Sequence, residues 1–272
     1  MLTFNSKKQL SQFLAEDIGK GDITSNLLAK KRISVKIISR ENAILAGVTY
    51  AKEIFKLKGC NTRILKKDGY KIKPNQTIMI ITGNAGNILT CERTALNLLT
   101  RMSGIATQTN ALVKKIPKKT KLYATRKTAP GLRYFDKEAV EIGGGKKHRL
   151  TLDEMVMIKD NHIAVENSLL SLIKKTKKKY KKFEVEVENT ADAVLAAKEG
   201  ATIIMLDNFT PAQIKKTIQI LKNQKLRNKV ILEASGGINS KNISKYGQTG
   251  IDIISVGSIT NSVKGIDMSL EI

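Results

Sequence analysis

From residue 120 onward the apolar positions fall into short runs, LYATRK, MVMIKDNH, FEVEVEN, TIIMLDN, VILEASGG and DIISVGS, each ending in polar or glycine-rich residues. With Lys159, Glu186, Asp207, Ser235 and Gly257 as markers, successive gaps are 27, 21, 28 and 22 residues, the length of a strand plus a crossover helix. Helix punctuation agrees with that repeat. Thr190 precedes an apolar stretch that stops before Gly200, and Thr210-Pro211 supplies an N-cap followed by proline at the first helical position. Strands that are apolar without clean alternation belong to a parallel sheet covered on both faces, either doubly wound or closing toward a barrel. In barrels the reactive groups gather at the C-terminal strand ends, and six successive runs deliver Arg126-Lys127, Lys159-Asp160, Glu186, Asp207, Ser235-Gly236-Gly237 and Gly257 there. The spacing therefore predicts a barrel with fewer than eight clear strands.

Before residue 105 the pattern differs. Short β-rich stretches at 32–39, 43–46 and 77–82 are separated by polar turns such as Lys67-Asp68-Gly69 and Lys73-Pro74-Asn75, which predicts a small α+β domain. A helical pattern over 89–115, with Leu96, Leu99 and Ala106 placed for burial, is expected to bridge the two regions.

Composition narrows the class. The chain of 272 residues is 41% hydrophobic, enough for a folded core, and carries 48 Lys plus Arg against 24 Asp plus Glu, a formal charge of +24. No apolar run approaches the roughly 18 residues that span a bilayer, and residues 1–12 are too polar for a signal-peptide core, so a cytoplasmic protein is expected. Cys60 and Cys91, with only two histidines, offer neither a disulfide framework nor a zinc-binding spacing. The densest basic run, KKTKKKYKK at 174–182, reads as a solvated helix face followed by a turn. Aromatic residues make up 4% of the chain and Trp is absent, which argues against single-strand nucleic-acid binding through stacking.

The chemistry lies among the strand-end residues. Arg126, Lys127, Arg133, His148, Arg149 and Lys159 fall within 34 residues. Guanidinium groups recognise carboxylates bidentately and lysines neutralise phosphate, so the set predicts a ligand with several negative charges. Taken singly, each has solvent exposure in a lysine-rich chain as its bland alternative. Glu186 and Asp207, from successive strand ends, suit Mg²⁺, directly or through water, or sugar hydroxyls; a structural ion pair with Lys127 or Lys159 is the alternative. Ser235-Gly236-Gly237 and Gly257-Ser258 occupy the last two strand-to-helix loops, where barrels often build phosphate sites, although tight turns alone also require glycine. Gly143-Gly144-Gly145-Lys146 is no P-loop, because Lys147 stands where Ser or Thr is needed. His148 is assigned to ligand binding and His162 to no chemical role. No Ser or Cys nucleophile stands at a recognisable spacing from either histidine.

Nine strings complete the picture: EDIGKGDITS (16–25), ERTALNLLTRMSGIAT (92–107), ATRKTAPGLR (124–133), GGGKKHRL (143–150), MIKDNHI (157–163), EVEVEN (184–189), MLDNF (205–209), EASGGI (233–238) and SVGSIT (255–260). In this order they closely resemble the quinolinate phosphoribosyltransferases. The resemblance implies an N-terminal α/β sandwich over 1–105, with 265–272 returning to it, and an incomplete α/β barrel over 106–264. It implies conversion of quinolinate and phosphoribosyl pyrophosphate to nicotinate mononucleotide, pyrophosphate and CO₂ on the de novo route to NAD, with Mg²⁺. It also implies a homodimer, or an assembly of dimers, in which Arg101 reaches the neighbouring subunit's site. By the same comparison Arg126, His148 and Arg149 bind the quinolinate carboxylates, and Lys127 and Lys159 lie between substrate and pyrophosphate. Glu186 and Asp207 stand near ribose and Mg²⁺, and Ser235, Gly236, Gly237 and Gly257 form the phosphate loops. Two positions depart from many members, Asn261 in place of His and Ala129 in place of Thr. A paralogous group at molybdenum transport loci departs in the KDNH region, which is intact here. A basic protein that binds nucleic acid without catalysis is the rival from another class; neither a specific nucleic acid nor a membrane is expected as a partner.

Overall fold

A computed structural model describes residues 4–272; residues 1–3, with which the expected first domain begins, lie outside the described residues. Along the chain the first elements are α1 (Phe4–Ile18), β1 (Arg32–Ser39), β2 (Ala43–Ile44) and α2 (Val48–Leu57). They are followed by β3 (Asn61–Ile64), β4 (Lys71–Ile72), β5 (Thr77–Asn84) and the long α3 (Ala85–Val113). Next come β6 (Lys121–Tyr123), α4 (Arg133–Ile142), β7 (Val156–Ile158), α5 (Asp160–Glu166), α6 (Leu169–Lys179) and β8 (Phe183–Val187). The chain continues through α7 (Thr190–Glu199), β9 (Ile203–Asp207), α8 (Pro211–Asn223) and β10 (Ile231–Ser235). It ends with α9 (Ile243–Gly247), β11 (Ile253–Ser255), α10 (Ser258–Asn261) and β12 (Met268–Glu271).

Two compact units result. The first comprises residues 1–110, 129–144 and 262–272. Its antiparallel sheet has the order β12-β1-β5-β3, so the segment MSLE pairs beside β1. Val35 and Ile37 of β1, registered with Ile81 and Met79 of β5, are buried and give the sheet an apolar face. The returning C-terminal segment also touches α3. A Cβ on Gly104 would lie 2.1 Å from the Lys264 carbonyl oxygen, so only glycine admits that approach. The repeat along the sequence puts residues 129–144 inside 106–264, yet here they group with the first unit. The cause is aromatic packing: the Phe135 ring of α4 lies edge-on to Tyr50 at 5.0 Å and 5.7 Å from Phe13.

The second unit comprises residues 111–128 and 145–261, built on a parallel sheet of order β6-β11-β10-β9-β8-β7. Each neighbouring pair is parallel, and β6 and β7 stand at opposite ends of the order, which is the open sheet expected of an incomplete barrel. These strands are the six apolar runs of the sequence. Val185, Ile204, Leu232 and Ile254 are buried at their centres. The Thr210 side chain caps α8 by accepting the Gln213 N–H, with Pro211 at the first helical position. At α7 the cap is Asn189 rather than Thr190, because the Asn189 side-chain Oδ1 accepts the Asp192 N–H at 2.9 Å. The Thr190 hydroxyl instead meets that of Thr217 at 2.8 Å. Gly200, in left-handed backbone at φ 94°, ends α7 as expected. The lysines of the basic run are exposed from α6 into the following turn. Among the described residues no helix is long and apolar enough to cross a membrane.

Candidate active site

Within the second unit the C-terminal strand ends enclose a cavity of about 330 Å³. Eight of the expected site residues line it: Arg126 and Lys127 after β6, His148 and Arg149 before β7, Lys159 after β7, Glu186 of β8, Asp207 of β9 and Ser235 of β10. Parallel pairing explains the convergence. Ser235 is registered with Asp207, and Glu186 with Met205 two residues earlier on the same strand, so side chains distant in sequence become neighbours on one rim. Gly236 and Gly237 follow at the end of β10, both with positive φ. A Cβ on Gly236 would fall 2.2 Å from Asn208 Oδ1 and 2.7 Å from its backbone nitrogen. Gly257 directly precedes α10, and a Cβ there would lie 3.2 Å from Lys127 Cδ. The Thr260 hydroxyl donates to the Lys127 carbonyl at 2.7 Å, which ties the loop after β6 to α10.

The electrostatics are those of an anion site. Arg126 Nε is buried without a hydrogen-bond partner, as is Ser255 Oγ in the same cavity. An orphaned guanidinium nitrogen loses its hydration without compensation, and an anionic ligand restores it. Arg149 is 9% exposed; burial, and then the neighbouring Arg126 charge, lower its pKa. It is steered by a donation from Nη1 to the Met155 carbonyl at 2.8 Å. Lys159 Nζ pairs closely with Glu186 Oε2.

Glu186 and Asp207 fit a hard cation in kind, offering carboxylate oxygens beside the cavity. Lys159 occupies one oxygen of Glu186, and the Asn208 amide donates to Asp207 Oδ2 at 2.7 Å. Mg²⁺ binds through few protein carboxylates together with water and substrate phosphate, and these two side chains suit that use.

Sequence reasoning missed the floor of the site. Glu184 of β8 and Glu233 of β10 are fully buried, and Glu233 lines the cavity. His148 Nε2 stands 3.3 Å from Glu184 Oε2 and 3.6 Å from Glu233 Oε2. Among the described residues these three form the one group of three or more potential ligands with metal-like spacing, their ligand atoms all within 4.8 Å. Burial works against a charged imidazole, but the two carboxylates outweigh it and push the His148 pKa up to about 9. The Arg149 backbone N–H lies 2.8 Å from Nδ1, a bond that the neutral ring protonated on Nε2 accepts. Both influences keep a proton on Nε2. Burial raises the Glu184 pKa to about 7, with His148 and Arg149 partly offsetting it. The only signal of this floor in the sequence is an acid inside each of two apolar runs.

Arg101 belongs to the first unit. There its Nε and Nη2 donate to the two oxygens of fully buried Asp136 at 2.7 and 2.8 Å. It lines a separate hollow of about 480 Å³ with Glu16, Asp17, Thr94 and Asn97.

Comparison with known proteins shows the family. The family described as quinolinate phosphoribosyl transferase, C-terminal domain, matches residues 105–271, and the corresponding N-terminal domain matches residues 22–103. A probable nicotinate-nucleotide pyrophosphorylase (carboxylating) of Archaeoglobus fulgidus is 44% identical over 255 residues, covering 93% of this chain and 98% of that protein. The nicotinate-nucleotide pyrophosphorylase (carboxylating) of Mycobacterium leprae is 35% identical, covering 98% of this chain and 97% of that protein. The structure of the nicotinate-nucleotide pyrophosphorylase from Francisella tularensis superposes with a TM-score of 0.92 at 39% identity, covering 100% of this chain and 97% of that one.

Proposed function

The chain belongs to the quinolinate phosphoribosyltransferase family, and from that premise we propose how its cavity carries out the reaction. The enzyme converts quinolinate and phosphoribosyl pyrophosphate to nicotinate mononucleotide, pyrophosphate and CO₂, the step that enters NAD biosynthesis de novo. The observation that carries this reading is the orphaned, buried Nε of Arg126 beside Arg149, in a cavity whose rim also holds two lysines and two carboxylates.

Each group has a physical task. Arg126 and Arg149 hold the carboxylates of the flat aromatic acid and so fix its ring nitrogen in line with ribose C1. Lys127 and Lys159 neutralise the departing pyrophosphate. Glu186 and Asp207 orient the ribose and favour the positive charge that develops at C1 as the bond to pyrophosphate breaks. Glu186 and Asp207 would hold Mg²⁺, which would supply Lewis-acid neutralisation of the leaving group. Once the ring nitrogen is alkylated, its positive charge stabilises the carbanion left as the adjacent carboxylate departs as CO₂; that carbon then takes a proton from water to give nicotinate mononucleotide, and the protein's contribution there is to keep the ring in place. Ser235, Gly236, Gly237 and Gly257 fit a phosphate cradle of backbone N–H groups, supported by the need for glycine at Gly236.

We further propose a homodimer, or an assembly of dimers, in which Arg101, held in one orientation by buried Asp136, completes the site of the other copy. Two buried, unpaired thiols, Cys60 and Cys91, fit a reducing compartment, and the cytoplasm is the location proposed. The direct test is incubation of pure protein with quinolinate, phosphoribosyl pyrophosphate and Mg²⁺. Nicotinate mononucleotide and equimolar CO₂ support the reading; intact substrates at saturating concentration contradict it.

A further inference from the structure

We propose that Thr260 is a positioning residue for Lys127, its buried hydroxyl fixing the turn from which that lysine reaches the leaving group. This rests on the function just described, in which Lys127 neutralises the departing pyrophosphate.

The loop after β6 sends two adjacent residues to different tasks. Arg126 turns inward, where its Nε is buried in the cavity, while Lys127 is exposed at the rim. The peptide they share must therefore keep one orientation. A hydrogen bond from the Thr128 N–H to the Arg126 carbonyl at 3.0 Å closes a three-residue turn with Lys127 at its centre. Such a turn leaves the N–H and carbonyl of its central residue to find partners elsewhere. Here both are met by threonine hydroxyls. The Lys127 N–H donates to Thr125 Oγ1 at 3.1 Å, and the Lys127 carbonyl accepts from the Thr260 hydroxyl at 2.7 Å. A hydroxyl has one proton to give, and the Gly257 carbonyl, at 3.2 Å from Thr260 Oγ1, is the more distant of these two acceptors.

The two anchors are not equivalent. Thr125 lies in the same loop and moves with it. Thr260 comes from α10, 133 residues further along the chain, and both it and its neighbour Ile259 are fully buried, so it ties the turn to a fixed element. The lysine stem lies along the same segment: a Cβ on Gly257 would sit 3.2 Å from Lys127 Cδ. Lys159 is held at its tip by Glu186, whereas Lys127 is held from its backbone end. A flexible four-carbon stem delivers its charge to a defined point only from a fixed origin. The carbonyl that Thr260 holds belongs to the peptide between Lys127 and Thr128, on the side away from Arg126. Loss of that bond therefore frees the lysine and leaves the quinolinate end of the cavity in place.

The test compares Thr260→Val, which keeps the shape of the side chain and removes the hydroxyl, with Thr260→Ser, which keeps the hydroxyl. Single-turnover formation of nicotinate mononucleotide, with quinolinate and phosphoribosyl pyrophosphate both saturating, reads the step in which pyrophosphate leaves. Thr260→Val should slow it about tenfold while the Kd for quinolinate stays within about twofold, and Thr260→Ser should stay within about twofold of wild type. Added to Lys127→Ala, Thr260→Val should slow the reaction less than about twofold further, because the residue it acts through is already gone. Four results overturn the proposal: a Val variant as fast as wild type, a Ser variant as slow as Val, a rise in quinolinate Kd that matches the loss of rate, or a full further loss on top of Lys127→Ala. Should Thr260→Val not fold, Thr260→Ala removes the hydroxyl by truncation and takes the same readings. Wild-type turnover is measured first: its absence defeats the reading of function, whereas normal turnover with an unaffected hydroxyl-free variant defeats this inference alone.

Discussion

Arg126 and Arg149 show how much depends on single nitrogen atoms. Because Arg126 presents an unpaired Nε rather than a diffuse charge, lysine is no substitute. Arg126→Lys should lower kcat/KM for quinolinate about 10–100-fold, the equivalent of one lost charge-assisted hydrogen bond at about 1.5–3 kcal/mol. Arg149→Ala should weaken quinolinate binding by a similar factor and phosphoribosyl pyrophosphate binding far less, as read by calorimetric titration of each ligand; equal losses contradict the assignment. The sequence makes these cations visible because they fall at the ends of apolar runs, where a parallel sheet leaves its chain. It hides Glu184. Glu184 lies inside the run FEVEV rather than at its end, and the strand is covered on both sides, so it is sealed inside while Glu186, two residues on, reaches the cavity.

At the scale of elements, the β10–α9 and β9–α8 connections set the shape of the rim. Gly236 lies at φ +90° against Asn208, so Gly236→Ala should cost about 1–3 kcal/mol in urea unfolding through strain and the displaced Asn208. Removing the α8 cap by Thr210→Ala should cost about 1 kcal/mol in the same measurement, since the first-turn N–H groups lose their acceptor. Elements with local signals were legible: six strands from six apolar runs, α8 from Thr-Pro, and the end of α7 from Gly200. The cap of α7 was not, because Asn189 and Thr190 are both good caps and the contact with Thr217 across to α8 decides between them. Nor was the membership of α4, which is fixed by Phe135 meeting Tyr50 from a point 85 residues earlier in the chain.

For the whole molecule, the charge of +24 bears on encounter more than on chemistry. Both substrates are polyanions, so kcat/KM should fall as ionic strength rises while kcat changes little, since the field of exposed lysines is screened within about 10 Å at 0.1 M salt. Shared sites would give another sign. An equal, statistically mixed population of Arg101→Ala and Lys159→Ala subunits should recover about a quarter of wild-type activity, because half the dimers are mixed and each regains one intact site. No recovery in verified mixed dimers contradicts sharing. Arg101 was legible in the sequence only through resemblance; its bidentate partner Asp136 sits beside it by folding alone.

The central claim is that the cavity at the strand ends is where quinolinate sits. A crystal structure with quinolinate bound tests it most directly. The account predicts substrate carboxylate oxygens at about 3 Å from Arg126 Nε and from the Arg149 guanidinium. Quinolinate bound elsewhere on the molecule, with Arg126 Nε still unpaired, would contradict it.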